Sequence, residues 1–319
     1  MNNQNAGQDN NNNNNRRFNN PFNLDPAKED ISIEKKLNRD FFCPLVSLSS
    51  EFGIDNDYYS IRTVDPLKES FFHVVESLIF PNATPLQLSM ILCYIIIFMF
   101  FILLCFGLDS TNYENQFLPI KISTIDNLGS FYPLKMKDSI WQYYRLITFH
   151  FLHFNFNHLF YNLISLISFC SFFELFIRKY QFLLILFLTG IISNLTSINL
   201  FEENERNCGI NGGIAGILGA FVMLFIMNWG ELEHMLGQVG RFLTVYLVCV
   251  FLFLTFVFYH LSEYGNISVQ LLSLVYGALL FSIIVKPIKV VRWKIILRIA
   301  SAVIICSFLS IALSKFYLK

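Results

Sequence analysis

The chain has 319 residues, of which 54% are hydrophobic and 14% charged, with 23 basic and 23 acidic side chains. So little charge does not cover the surface of a soluble domain, and a net charge of zero gives no reason to expect a nucleic-acid partner. A bilayer needs helices of about 20 apolar residues, and several such runs are present, so the composition indicates an all-α membrane protein.

Residues 1–40 are Asn-rich and low in complexity, including an unbroken Asn run at 10–15. Such a segment has too little apolar surface to form a core and is expected to be a disordered tail. Residues 41–84 are mixed in character and are expected to form a cytoplasmic juxtamembrane segment, amphipathic near 71–80. No apolar signal-peptide core follows Met1. Seven spans are then expected, at 86–108, 147–173, 180–200, 212–229, 242–259, 267–285 and 295–313. A polar loop at 109–146 separates the first two. The 36 Phe residues read mainly as lipid-facing bulk.

Arg178, Lys179, Arg241, Lys286, Lys289, Arg292 and Lys294 fall on one side of this arrangement. The positive-inside rule makes that side, and with it the N-terminus, cytoplasmic. Of the seven cysteines, only Cys43 and Cys208 lie clearly outside apolar runs, and the bilayer should separate them, so no disulfide framework is expected. No His/Cys spacing suggests zinc, and no cofactor is expected. The Asn-X-Ser/Thr matches at Asn82, Asn194 and Asn266 are expected to remain unmodified.

Polar side chains inside the bilayer mark packing or function. His158 and Asn162 are four residues apart and share a helix face. Two donors there could stabilise an oxyanion, or could simply make an interhelical hydrogen bond. Gly212, Gly216 and Ala220 form a small-residue stripe that lets another helix approach closely. Asn211, just before it, is also a good helix cap. Gln270, Ser273 and Gly277 share a face of the sixth span, a seam directed at the fourth. Glu174 and Arg178 are spaced for an i, i+4 ion pair.

In order and spacing, these sets resemble the rhomboid family of intramembrane serine proteases. The resemblance covers roughly residues 85–285 and rests on several segments. These are Tyr144-Arg145, His153, the His158/Asn162 pair, Glu174, the segment Gly209-Ile-Asn211-Gly212-Gly213 through Ala220, and Gln270 to Gly277. It implies a six-helix rhomboid-like core with one further C-terminal helix in residues 286–319. It also implies that His158 and Asn162 occupy oxyanion positions. The family's nucleophilic Ser is matched by Asn211 and its basic His by Gln270. A carboxamide is neither an activated nucleophile nor a base near neutral pH. Tyr144 replaces a Trp and Arg178 a Gly common in the family.

The resulting expectation is a proteolytically inactive rhomboid-like protein that holds transmembrane client proteins in a bilayer of the secretory pathway or plasma membrane. Asn211, Gln270, His158 and Asn162 would either read a polar residue of the client or, preferably, hydrogen-bond one another and lock the core. One alternative is an active intramembrane endopeptidase using Ser268 or Ser273, although no His shares a face with either. Another is a transporter or channel, for which neither an inverted repeat nor a mid-span carboxylate is evident. Client identity and oligomeric state are not encoded legibly.

Overall fold

The computed structural model describes residues 85–318 apart from 110–115, 175, 199–205, 262–266 and 288. The tail at 1–40, the segment at 41–84, Cys43, Asn82 and Asn266 lie outside the described residues. Among the described residues, six helical segments are long and apolar enough to cross a membrane, at Leu88–Gly107, Phe156–Phe173, Lys179–Ser197, Asn211–Glu231, Ile267–Ile284 and Arg292–Ser314.

Helix α1 (Leu88–Gly107) is uniformly apolar, without charge, proline or internal breaker. It leads to the stretch expected to be a polar loop. That stretch is instead built from α2 (Ile122–Leu128), α3 (Pro133–Asp138), a tight 3₁₀ segment at Ile140–Tyr144 and the single turn α4 (Arg145–Thr148). Gly129 closes α2 in the left-handed region at φ 113°, where L side chains are strained. Buried Arg145 organises the whole unit. Its Nη1 donates to Asp126 O at 2.7 Å and Ser130 O at 3.0 Å, and its Nε donates to Gln142 Oε1 at 2.7 Å. Arg206 Nε pairs with Asp126 Oδ2 at 2.7 Å and joins this unit to the segment before the fourth span.

Helix α5 (Phe156–Phe173) starts nine residues later than expected from the apolar run that begins at 147. The intervening residues form short turns instead of joining the span. Asn155 caps α5, its side chain accepting from His158 N at 2.8 Å. The helix widens into a π turn at Leu166–Cys170. There Ser168 and Ser171 hydroxyls bond the carbonyls of Ile164 and Ile167, competition with the backbone that bends helices.

Beyond that turn Glu174 is buried, and it does not pair with Arg178. Its Oε1 accepts from Leu88 N at 2.9 Å, and its Oε2 accepts from Ser89 N and Ser89 Oγ, each at 3.0 Å. The carboxylate thus caps the start of α1, where free N–H groups and the helix dipole favour negative charge. Arg178 instead contacts the Tyr180 hydroxyl.

Helix α6 (Lys179–Ser197) is followed by α7 (Asn211–Leu261). The fourth and fifth spans were expected as separate helices, but both lie within α7. Residues 230–241 contain Glu, Leu, Met and Gln and no proline, so nothing ends the helix there. A straight helix of 51 residues would extend about 76 Å. Near one end of α7, however, Gly212 faces Ser273 of α8 (Ile267–Ile284), and only residues 262–266 connect the other end to α8. That connection reaches at most about 23 Å, so α7 is strongly bent. Gly230, Gly237 and Gly240 are the weak points available for the bend.

Helix α9 (Arg292–Leu318) docks through a polar ladder on one face. Lys294 pairs with Glu231 at 3.1 Å, Arg298 Nη2 donates to Ile283 O at 2.6 Å, and Ser282 Oγ donates to Ser301 Oγ at 2.8 Å.

The core contradicts the reading of phenylalanine as lipid-facing bulk. Phe149, Phe169, Phe173, Phe176, Phe182 and Phe281 are fully buried. Phe173, Phe221 and Phe169 meet edge to face, the geometry favoured by the ring quadrupole.

Candidate functional site

The seam between α7 and α8 is closed by small residues. A Cβ at Gly277 would overlap the Gly216 carbonyl, and one at Gly219 would overlap the Leu274 carbonyl. Gly216 faces the Thr189 side chain of α6 in the same way, and Ala220 is buried. Gly212 sits less tightly, with its added Cβ 3.2 Å from Ser273 Oγ and 3.4 Å from Gly190 Cα. Ser273 Oγ donates to Ser193 Oγ at 2.7 Å, so its hydroxyl is engaged by α6 and not by a histidine.

Above this seam Gly209 takes φ 107°, a turn that only glycine adopts without strain. Its amide donates to Phe149 O at 2.8 Å. A Cβ here would lie 2.7 Å from the His158 ring and 3.2 Å from Asn211 Oδ1, so the turn brings the α5 histidine beside the start of α7. Asn211 is the first residue of α7 and stands one position past the cap, which Ile210 occupies through its carbonyl bond from Ile214 N. Gln270 is buried on α8 one turn before Ser273.

The polar groups pair differently from the expected mutual lock. Asn162 Nδ2 lies 3.0 Å from Nε2 of His153, which is fully buried just before α5. His153 and His158 rings meet edge to face with centroids 4.9 Å apart. Neither ring nitrogen of His158 has a hydrogen-bond partner, whereas His150 and His153 also face the backbone of Phe187 and Phe151. The lock therefore does not form at His158. An unpaired buried nitrogen keeps its desolvation penalty, so this corner is polar and not satisfied from within.

His150 packs against Phe149 and Phe187, with Nδ1 3.2 Å from Ile147 O. Gly190 accommodates it, because a side chain there would collide with the imidazole. Burial pushes the His150 pKa down to about 3. Burial and the neighbouring His158 push His153 well below the ordinary range, so both stay neutral at physiological pH. Asn194 and Asn207 close the corner. Asn207 Nδ2 donates to Asn194 Oδ1 at 2.6 Å and Asn194 Nδ2 donates to Gly190 O at 2.8 Å, while Asn207 pairs its backbone with Phe131.

Sequence reasoning did not identify His150, His153, Asn194 or Asn207 as members of this cluster. Asn194 could have been found, because a buried amide within an apolar helix needs a partner. Among the described residues no group of three or more His, Cys, Asp or Glu side chains is placed to hold a metal ion. Cys208 is buried and free, and burial raises its thiol pKa far above the usual range.

Residues 140–284 match the family model described as the Rhomboid domain. Over 137 residues the chain is 29% identical to a protein of Arabidopsis thaliana named "Inactive RHOMBOID-like protein 8". That alignment covers 42% of this chain and 38% of the relative, so well under half of the curated protein's length is matched.

Proposed function

From a chain that belongs to the rhomboid family, and whose helix starting at Asn211 carries an amide beside Gly209, we propose a proteolytically inactive member that holds transmembrane client proteins. The observation that carries this reading is the chemistry at the junction of α5, α7 and α8. Asn211 meets His158 across Gly209, and Gln270 lies one turn from the Ser273 that faces Gly212. Covalent hydrolysis of the serine or cysteine type needs a hydroxyl or thiol that a neighbouring base can deprotonate. Asn211 offers a carboxamide, and Gln270 takes no proton near neutral pH. Losing such a pair from a serine hydrolase costs about a millionfold in turnover. The relative's printed name carries the same adjective.

The unpaired His158 imidazole supports client holding. A polar client residue entering the corner would satisfy His158, which a self-locked cluster could not offer. The bonding of Ser273 to Ser193 speaks against that hydroxyl as a replacement nucleophile. In the proposed topology the N-terminus and the end of the bundle carrying Arg178 and Lys286 face the cytoplasm.

The test incubates purified chain with model transmembrane substrates beside an active rhomboid. No cleavage, and no fluorophosphonate labelling at Ser268 or Ser273, is the expected result. Cleavage that disappears in Asn211→Ala would overturn the inactive reading. Client holding is checked separately by crosslinking from His158, which should weaken when the client's polar residue is replaced by leucine.

A further inference from the structure

The two ends of the bundle use their arginines differently. At the end carrying α2–α4, which also exposes Lys121, both arginines are engaged within the fold. Arg145 is buried on backbone carbonyls, and Arg206 pairs with Asp126 and lies over the Tyr132 ring. At the other end, Arg178, Lys179, Lys286, Lys289 and Arg292 are all exposed.

The fold gathers these five residues from separate parts of the sequence. Gln181 Nε2 donates to Ile284 O at 3.2 Å, which fixes the start of α6 against the end of α8. Lys286, Lys289 and Arg292 follow directly as the chain passes from α8 into α9. The docking of α9 through Lys294, Arg298 and Ser301 holds that passage against the bundle. Of the carboxylates described at this end, Glu174 caps α1, and Glu231 pairs with buried Lys294 and also lies near Lys289. Helices α6 and α9 both begin here, and their first-turn amides add to the positive field. Exposed Tyr180 and Trp293 flank the basic side chains, and such amphipathic rings settle at headgroup depth.

We propose that this end of the bundle is an anionic-phospholipid site, where Arg178, Lys179, Lys286, Lys289 and Arg292 hold lipid phosphates between α6, α8 and α9. A clustered basic patch at the membrane ends of helices is the arrangement that recognises acidic headgroups. The aromatic pair selects a bilayer partner over a soluble acidic protein, because it places the charges at the level of the headgroups. The inference rests on the chain spanning a bilayer and is independent of whether the protein cleaves or holds clients.

The test uses the full chain carrying Trp141→Phe and Trp229→Phe, so that Trp293 is the remaining fluorophore. The protein is placed in phosphatidylcholine nanodiscs containing either brominated phosphatidylserine or the same fraction of brominated phosphatidylcholine. Both leaflets have the same composition, so the readout does not depend on orientation. Stronger quenching by the brominated acidic lipid is expected. The combined variant Lys286→Gln, Lys289→Gln, Arg292→Gln should weaken the preference on the order of a hundredfold, and each single change about fivefold. Lys121→Gln with Lys135→Gln, at the opposite end, should leave it intact.

Equal quenching by the two lipids would overturn the proposal and would leave an acidic protein as the partner for the patch. Equal loss in the opposite-end variant would also overturn it, by showing bulk attraction only. Relief by inorganic phosphate beyond that of chloride at matched ionic strength would assign the site to free phosphate and overturn the lipid commitment. If the triple variant fails to purify, the single variants carry the same decision.

Discussion

The α7–α8 seam and the histidine corner adjoin each other, and they are built to different standards. In the seam, backbone meets backbone with no room for a methyl group at Gly219 or Gly277. In the corner, both ring nitrogens of buried His158 have no partner. A membrane interior supplies little hydrophobic drive between helices, so close van der Waals contact must hold the bundle together. The seam provides that contact, and the corner detracts from it by leaving desolvated nitrogens unpaired. A close-packed frame thus adjoins a polar site that it does not satisfy, and the proposed holding function draws on that difference.

The comparison breaks most readily at the seam. Gly277→Val should destabilise the bundle by about 3 kcal/mol or more, because the Gly216 carbonyl is rigid backbone and the helices must part. Gly212→Ala, whose new methyl meets a rotatable Ser273 hydroxyl, should cost far less. Thermal unfolding in detergent measures both, and equal effects would mean the seam is not under the contact described. The next largest effect is expected at Glu174→Ala, which strips three donors at the start of α1 of their acceptor. A loss of about 2–3 kcal/mol is expected, with faster hydrogen exchange confined to the first turn of α1. A mere surface ion pair at Glu174 would produce neither change.

Much of this arrangement was legible from residue spacing. The Gly212/Gly216/Ala220 stripe faces the Ser273/Gly277 stripe because small residues at helical spacing have few other uses in a bilayer. The apolar runs located the spans because lipid imposes their length. The partner of Glu174 was not legible, because Ser89 lies 85 residues away and an i, i+4 pairing looks equally good locally. The expected second span at 147–173 absorbs His150 and His153, because the short turns before α5 show no periodicity of their own. His150 is buried where those turns dock onto Gly190. The continuity of α7 was hidden by polar residues at 230–241 that read as a loop and are good helix formers as well. The Asn155 cap was readable and was missed, since Asn three residues before a backbone N–H that needs an acceptor is an ordinary helix start.

Acid separates the corner from the seam, because only the corner titrates. Burial lowers the folded-state pKa of His150 and His153 below the unfolded value near 6.5, so the unfolded chain binds more protons. Stability is then fully present above about pH 6.5 and falls below it, by roughly 1.4 kcal/mol per pH unit for each histidine. For His150 the loss continues down toward pH 3. Unfolding midpoints measured from pH 7 to pH 5 should fall in the wild type. They should fall less steeply in His150→Leu, and a pH-independent midpoint would show that the imidazoles are solvated.

The smallest effects separate the paired member of the corner from the unpaired one. Asn162→Ala removes the partner of His153 and should cost about 1 kcal/mol, the usual net value of a buried hydrogen bond. His158→Leu removes two nitrogens that bond to nothing and should be neutral or slightly stabilising, since an apolar side chain brings no desolvation penalty. The same substitution should abolish capture of a client with a polar mid-span residue while leaving an all-leucine span unaffected. Stability that falls more in His158→Leu than in Asn162→Ala would mean that His158 is held by a bond of its own, and the corner would then belong to the same closed frame as the seam.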